Sequence, residues 1–148
     1  TGLAIDLALK QPEIDFIRPY FPYEGICQKF RERAAAHGFV ERYQKHKQSV
    51  TRIGHEPWHF RYVGTPHAAI MTRMCIVLEE YIVFVKDYRY GENPYITETK
   101  QGERYAVSFV RADGADMGQA AELVIDEAGQ YRISGNNCDG FIVTQICS

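Results

Sequence analysis

Several features that define other classes of protein are missing from this chain of 148 residues. It has no apolar run long enough to span a membrane and no N-terminal segment with the pattern of a signal peptide. Its formal net charge is only −2, so an excess of one sign that would favour nucleic acid is absent. These absences predict a globular protein with no membrane segment and no nucleic-acid partner.

The cysteines lack the spacing of a metal or redox motif. There are four of them and no C-x-x-C pair, so they predict neither a cysteine zinc site nor a dithiol centre. Buried free thiols are the interpretation, and a disulfide is the alternative if the protein is exported. The positions concerned are Cys27, Cys75, Cys138 and Cys147.

Hydrophobic periodicity predicts alternating helices and strands over the first 90 residues. Leu3, Ile5 and Leu7 alternate with other residues, which indicates a strand with Asp6 on the opposite face. A helical pattern covers residues 23–37, and Gly38 follows as a typical C-terminal stop. Its apolar stripe comprises Ile26, Cys27, Phe30 and Ala34. Further predicted elements are strands at 39–43 and 57–63, helices at 65–73 and 78–88, and a solvated basic loop at 44–49.

Beyond residue 90 the pattern changes to short strands separated by turn residues. The predicted strands cover residues 95–99, 103–111, 121–125, 130–134 and 141–146. The fold class is therefore α+β: a small antiparallel sheet with flanking helices, followed by a C-terminal antiparallel β-unit. We expect one domain at residues 1–90 and a small β-rich subdomain at residues 91–148.

The segment Glu56-Pro57-Trp58-His59 has the most chemical content. A histidine can hold zinc, which lowers the pKa of its bound water to about 7, and a nearby carboxylate can take the water's proton. Pro57 argues against a helix interior, so we expect Glu56 and His59 on a strand or turn. The alternative is a solvated Glu56 and a His59 that packs against Trp58.

Three motifs in order make this interpretation specific. T-G-L-A-I-D at residues 1–6 resembles the second half of S-x-H-x-x-G-x-A-x-D, and G-F-V-E-R-Y at 38–43 resembles G-F-x-x-R-Y. E-P-W-H-F-R-Y-V-G at 56–64 resembles E-P-W-H-x-R-Y-V-G. These are motifs of the VanY-like zinc D-Ala-D-Ala carboxypeptidases, relatives of the lysostaphin and hedgehog domains. The resemblance implies the sheet-and-helix fold of those peptidases.

The resemblance also implies a role for each matched residue. Asp6 and His59 match zinc ligands, and Glu56 matches the catalytic base. The third ligand of the family is the histidine of S-x-H, which would lie two places before Thr1. We therefore expect residues 1–90 to be the C-terminal portion of the zinc peptidase domain.

Four further residues near the motif have open interpretations. His55 and His67 are the candidates for a substitute ligand, although neither matches a ligand of the family. Trp58 is a candidate wall of the substrate cleft, with core packing as the alternative. Arg61 is a candidate to bind a substrate carboxylate, with a structural salt bridge as the alternative.

The function implied by the resemblance is a zinc-dependent D,D-carboxypeptidase. Such an enzyme removes the terminal D-Ala from peptidoglycan precursors or stem peptides, which would contribute to vancomycin resistance. The implied partner is a peptidoglycan stem peptide or precursor, and the implied location is extracellular or in the cell envelope of a bacterium. An L,D-carboxypeptidase acting on tetrapeptide stems and a catalytically incomplete cell-wall-binding fragment are the alternatives.

Overall fold

Helices and antiparallel sheets make up both halves of the molecule. The structure is a computed structural model that describes residues 2–112, 125 and 129–147. The chain divides into two compact units, Thr1–Tyr81 and Ile82–Ser148. Within these described ranges, each unit contains one antiparallel sheet. The predicted α+β class is confirmed, and the domain boundary between residues 90 and 91 stays a prediction.

The first unit is built on a sheet of three strands in the order β1-β3-β2. Its elements are β1 (Ala4–Asp6), α1 (Gly25–Ala34), a 3-10 turn (Ala35–His37), β2 (Phe39–Tyr43), a second 3-10 turn (Lys45–Lys47), α2 (Gln48–Thr51), β3 (Glu56–Tyr62) and α3 (Thr65–Met74). The helix α4 (Leu78–Val85) begins in this unit and ends in the second. Because β3 is the central strand, it pairs on both edges.

Aromatic packing between the helix α1 and β3 forms a core in the first unit. Phe60 of β3 is 1% exposed and meets Phe30 of α1 edge to face, with ring centroids 5.0 Å apart. The buried members of this cluster are Phe21, Cys27, Ala34 and Phe60. The predicted stripe of α1 is wrong at Ile26, which is 67% exposed. The buried face follows the spacing 27–30–34, and one residue along a helix turns the side chain by about 100° away from that face.

Residues 44–49 are predicted as a solvated loop, but residues 45–49 of this segment are helical. They contain the 3-10 turn and the start of α2. Lys47 Nζ lies 2.8 and 2.7 Å from the two carboxylate oxygens of Glu80. An ion pair between polar side chains holds this segment in place. The segment therefore has no apolar periodicity from which a helix could be predicted.

The second unit contains a sheet of four strands in the order β4-β5-β7-β6. The strands are β4 (Tyr95–Glu98), β5 (Arg104–Arg111), β6 (Tyr131–Gly135) and β7 (Gly140–Cys147). These agree with four of the predicted strands, whereas the prediction at 121–125 lies outside the described residues except for residue 125. The strands β5 and β7 pair in register over eight residues.

The four cysteines differ in their exposure to solvent. All four cysteines are free, with Cys27 buried and with Cys75 and Cys138 exposed, so the prediction of buried thiols is wrong for the last two. Cys75 ends α3 in a left-handed conformation, and Cys138 lies in a turn before β7, which accounts for their exposure. No helix within the described ranges is long and apolar enough to cross a bilayer.

Candidate active site

The central strand β3 brings His59 opposite Asp6 of β1. The two residues are direct partners in the antiparallel ladder, so their side chains share one face of the sheet. His59 Nδ1 lies 2.7 Å from Asp6 Oδ1, and the side chains are 24% and 51% exposed. The sheet thus joins two residues that lie in separate sequence motifs and leaves them open to solvent. Their role as metal ligands stays a prediction.

Glu56 reaches the same place from the beginning of β3. Its Oε2 lies 3.9 Å from His59 Nδ1. In a regular strand, residues three apart point to opposite faces, but β3 is irregular here. Glu41 pairs with Phe60, whereas Tyr43 pairs with Glu56, so two steps along β2 correspond to four along β3. This β-bulge aims the Glu56 carboxylate toward His59, as bulges beside functional sites commonly do.

The bulge also explains how a proline lies within a central strand. Pro57 has no N–H to donate to a ladder, and such residues are confined to strand edges and bulges. The Pro57 carbonyl accepts a hydrogen bond from the Arg31 guanidinium of α1, at 2.7 Å. The proline between Glu56 and His59 is therefore compatible with the pairing on both edges of β3.

Tyr43 is a site neighbour that the sequence analysis did not single out. Its ring packs on the His59 imidazole, with centroids 5.1 Å apart and planes 32° apart. Tyr43 ends the G-F-V-E-R-Y motif, and the sequence predicts it only as a strand residue. Its position against His59 depends on the register shift between β2 and β3, which strand periodicity alone does not contain.

The residue types at this site are those that bind zinc. Aspartate oxygen and histidine nitrogen are both common zinc ligands, and a catalytic zinc normally has three protein ligands and one open position. Asp6 and His59 provide two donors with solvent access. Within the described ranges, no group of three or more His, Cys, Asp or Glu residues could hold a metal ion. The donor types therefore fit zinc, and one ligand more is needed.

Neither substitute histidine supplies that ligand. His55 Nε2 is 2.8 Å from the Tyr23 hydroxyl oxygen, in a separate network. His67 Nδ1 is 2.6 Å from the Tyr81 hydroxyl oxygen, and burial lowers the pKa of His67 to about 4. Each imidazole is thus engaged away from the Asp6–His59 pair.

The two candidate substrate contacts differ in their surroundings. Trp58 packs against the core cluster that contains Phe60, so part of its side chain is occupied by core contacts. Arg61 pairs with Ala4 on one edge and Val40 on the other, and it lies two residues from His59. Among the ion pairs of the described residues, none involves Arg61. The structural salt bridge considered for Arg61 is therefore not found there.

An aspartate–histidine pair open to solvent, with a glutamate beside it, is an arrangement that can contribute ligands to a metal and a base for its water. Residues 1–65 match the sequence model of the VanY family, described as D-alanyl-D-alanine carboxypeptidase. The likeness to the VanY family thus lies in the first 65 residues of the chain.

Curated proteins with the same description are also similar to this chain. The chain is 39% identical over 113 residues to a D-alanyl-D-alanine carboxypeptidase of Enterococcus faecium, and the match covers 76% of this chain and 34% of that protein. It is 46% identical over 81 residues to VanXYC, a bifunctional D-Ala-D-Ala dipeptidase and D-Ala-D-Ala carboxypeptidase of Enterococcus gallinarum. That match covers 54% of this chain and 43% of VanXYC.

A solved structure extends the likeness to nearly the whole chain. The vancomycin resistance D,D-dipeptidase VanXYg, in complex with a D-Ala-D-Ala phosphinate analog, is 45% identical, with a TM-score of 0.88. The match covers 99% of this chain and 57% of VanXYg. The chain thus spans between about a third and just over half of the length of these three relatives.

Proposed function

We propose that this chain belongs to a zinc-dependent D,D-carboxypeptidase that removes the terminal D-Ala from peptidoglycan precursors or stem peptides. The observation that carries the proposal is the Asp6–His59 pair, 2.7 Å apart, with a Glu56 oxygen 3.9 Å from the same imidazole nitrogen. The substrate class is supported by the relatives, since the carboxypeptidases and dipeptidases named above act on D-Ala-D-Ala.

Each residue of the site has a defined task in this proposal. Asp6 and His59 would hold the metal, which would polarise the scissile carbonyl and make a nearby water more acidic. Glu56 takes the proton of that water and delivers it to the amine of the leaving D-Ala. A catalytic zinc would need one ligand more than these two. Tyr43 supports the His59 ring from β2.

Substrate recognition is assigned to the same face of the sheet. Arg61 lies two residues from His59, and alternation along a strand places such residues on one face. Its guanidinium is suited to the terminal carboxylate of the peptide, which it can bind through two parallel hydrogen bonds. Alternation places Trp58 on the opposite face with Phe60, where it packs against the core cluster, so the cleft role is not assigned to it. Because the substrate is a cell-wall peptide, we place the protein in the cell envelope or outside the cell, with a contribution to vancomycin resistance.

The test is Glu56→Gln in the full-length protein. We expect release of D-Ala from a pentapeptide stem to fall by about 10²–10⁴-fold, because a general base contributes an effect of that size. Zinc content per protein stays at the wild-type value, since the amide replaces only the base. Glu98→Gln, on an exposed position of β4, is the matched control and keeps full activity.

Two results would contradict the proposal. Undiminished release by Glu56→Gln would show that another group takes the proton. Release by the wild-type protein from a tetrapeptide stem but not from a pentapeptide stem would replace the D,D assignment with an L,D activity. A pentapeptide ending in L-Ala serves as the substrate control.

A further inference from the structure

A buried ion pair lies behind the bulge of β3. Arg31 Nε of α1 is 3.0 Å from Glu41 Oε2 of β2, and the two side chains are 9% and 12% exposed. Charges removed from water in this way are stable only when their remaining hydrogen bonds are made. The Arg31 guanidinium meets this demand by donating to three backbone carbonyls, those of Phe21, Pro22 and Pro57, at 2.8, 2.6 and 2.7 Å.

The second oxygen of Glu41 continues the network to His55. The Tyr23 hydroxyl donates to Glu41 Oε1 at 2.5 Å, and His55 Nε2 lies 2.8 Å from the same hydroxyl oxygen. An ionised carboxylate only accepts, so the single proton of Tyr23 goes to Glu41 and His55 donates its Nε2–H to Tyr23. Burial and the bond to Glu41 raise the pKa of Tyr23 above its ordinary value, which keeps the hydroxyl protonated.

We call this group of side chains the Arg31 network; it comprises Arg31, Glu41, Tyr23 and His55. The network contacts both chain neighbours of Glu56. It holds the side chain of residue 55 through Tyr23 and the carbonyl of residue 57 through Arg31. The Arg31 guanidinium also stacks on the Tyr23 ring, 3.9 Å from its centroid. Glu56 itself pairs with Tyr43, but the ladder is irregular directly after it, where residues 57–59 have no register partner on β2.

We infer that the Arg31 network holds the bulge of β3 in place and thereby aims the Glu56 carboxylate, so that Tyr23 and Arg31 are positioning residues for the general base. The inference rests on the proposed function for the role of Glu56, but the clamp on its two neighbours is a property of the fold. Neither residue touches the reacting atoms in this arrangement.

Tyr23→Phe is the sharpest variant because it removes one oxygen and keeps the ring on Arg31. It breaks the bonds to Glu41 and His55 together. We expect kcat for D-Ala release to fall about tenfold, the effect of losing a supporting hydrogen bond around an active site, with KM and zinc content little changed. A kcat effect without a KM effect identifies an interaction made in the transition state rather than in substrate binding.

Tyr105→Phe is the matched control. The Tyr105 hydroxyl also donates to a carboxylate, Glu103 Oε2 at 2.9 Å, but it lies in the second unit. We expect kcat of this variant to equal that of the wild type. Arg31→Lys is a second variant that keeps the charge and loses the fork of donors, and it should lower kcat further than Tyr23→Phe.

Amide hydrogen exchange provides a readout that does not depend on activity. In Tyr23→Phe, the backbone amides of His55, Glu56 and Trp58 should exchange faster than in the wild type and in Tyr105→Phe. If the wild type releases D-Ala and Tyr23→Phe has an unchanged kcat, the positioning role is overturned and the proposed function stands. If the wild type releases no D-Ala, the proposed function fails; faster exchange then still supports the clamp, and unchanged exchange overturns it.

Discussion

The two units use their inner strands in opposite ways. In the first unit, β3 carries Glu56, His59 and Arg61, is irregular against β2, and has only Phe60 fully buried. In the second unit, β5 has five consecutive buried residues, Tyr105–Phe109, and pairs regularly with β7. Regular pairing of apolar residues produces a stable layer. A bulge interrupts that pairing and can expose the polar side chains of the strand.

The histidines show the same contrast. All five lie in the first 67 residues of the chain, and the second unit has none. Imidazole, the side chain that ordinarily titrates near neutral pH and commonly binds metals, thus occurs only in the first unit. The second unit contributes an apolar sheet, and its ion pairs such as Lys86–Asp139 are those of an ordinary surface.

The largest expected effect comes from removing a metal donor in the first unit. His59→Ala should reduce zinc, measured by elemental analysis of protein purified without chelator, from about one per protein to near zero, since a catalytic zinc site has only about three protein ligands. D-Ala release should be lost with the metal. Asp139→Asn, which breaks an ion pair of 2.7 Å in the second unit, should retain zinc and activity. Full zinc in His59→Ala would place the metal away from the Asp6–His59 pair.

The sequence was sufficient for most of the elements, although not for the helical segment at 45–51, and for the meeting of two motifs. Hydrophobic alternation around Asp6 predicts one strand, and residues 57–63 are predicted as another. The family motifs imply that Asp6 and His59 lie close together. The structure pairs these two residues directly. Short strands between turn residues likewise predict most of the second sheet.

The bulge and the Arg31 network could not be predicted in this way. Arg31, Glu41 and His55 belong to α1, β2 and the segment before β3, and nothing in their spacing relates one to another. The register shift between Glu41 and Tyr43 depends on which residues of two strands form pairs, and periodicity within one strand does not contain that information. Side chains such as Arg31, which contact the neighbours of a site residue but not the site itself, are therefore found only from the structure.

The next effect is a pH dependence that a buried histidine of the first unit should produce. Burial lowers the pKa of His67 to about 4, compared with about 6.5 in an unfolded chain. Between these values the unfolded state binds more protons, so stability of the first unit should decrease as the pH falls from about 6.5 to about 4, by up to about 3 kcal/mol. Urea unfolding followed by fluorescence of Trp58, the one tryptophan of the chain, measures this decrease.

Two histidine variants isolate the source of that slope. His67→Gln should flatten the pH dependence between pH 4 and 6.5, because the group that must stay neutral in the fold is gone. His37→Gln alters an exposed ring and should leave the slope as in the wild type. An unchanged slope in His67→Gln would assign the pH dependence to other groups of the first unit.

The smallest effect compares one glycine from each unit. Gly38 has φ +81 and Gly102 has φ +84, so alanine in this left-handed region costs about 1–2 kcal/mol at either position. A Cβ at Gly38 would lie 2.7 Å from Tyr62 Cε2 and 3.1 Å from the Gly64 backbone, whereas one at Gly102 meets nothing within 4 Å. We expect Gly38→Ala to lose about 1–3 kcal/mol more than Gly102→Ala in urea unfolding, because overpacking adds to the backbone strain. Equal losses would mean that Tyr62, which is 36% exposed, turns outward to admit the methyl group, and that this corner of the first unit tolerates change as readily as the turn in the second.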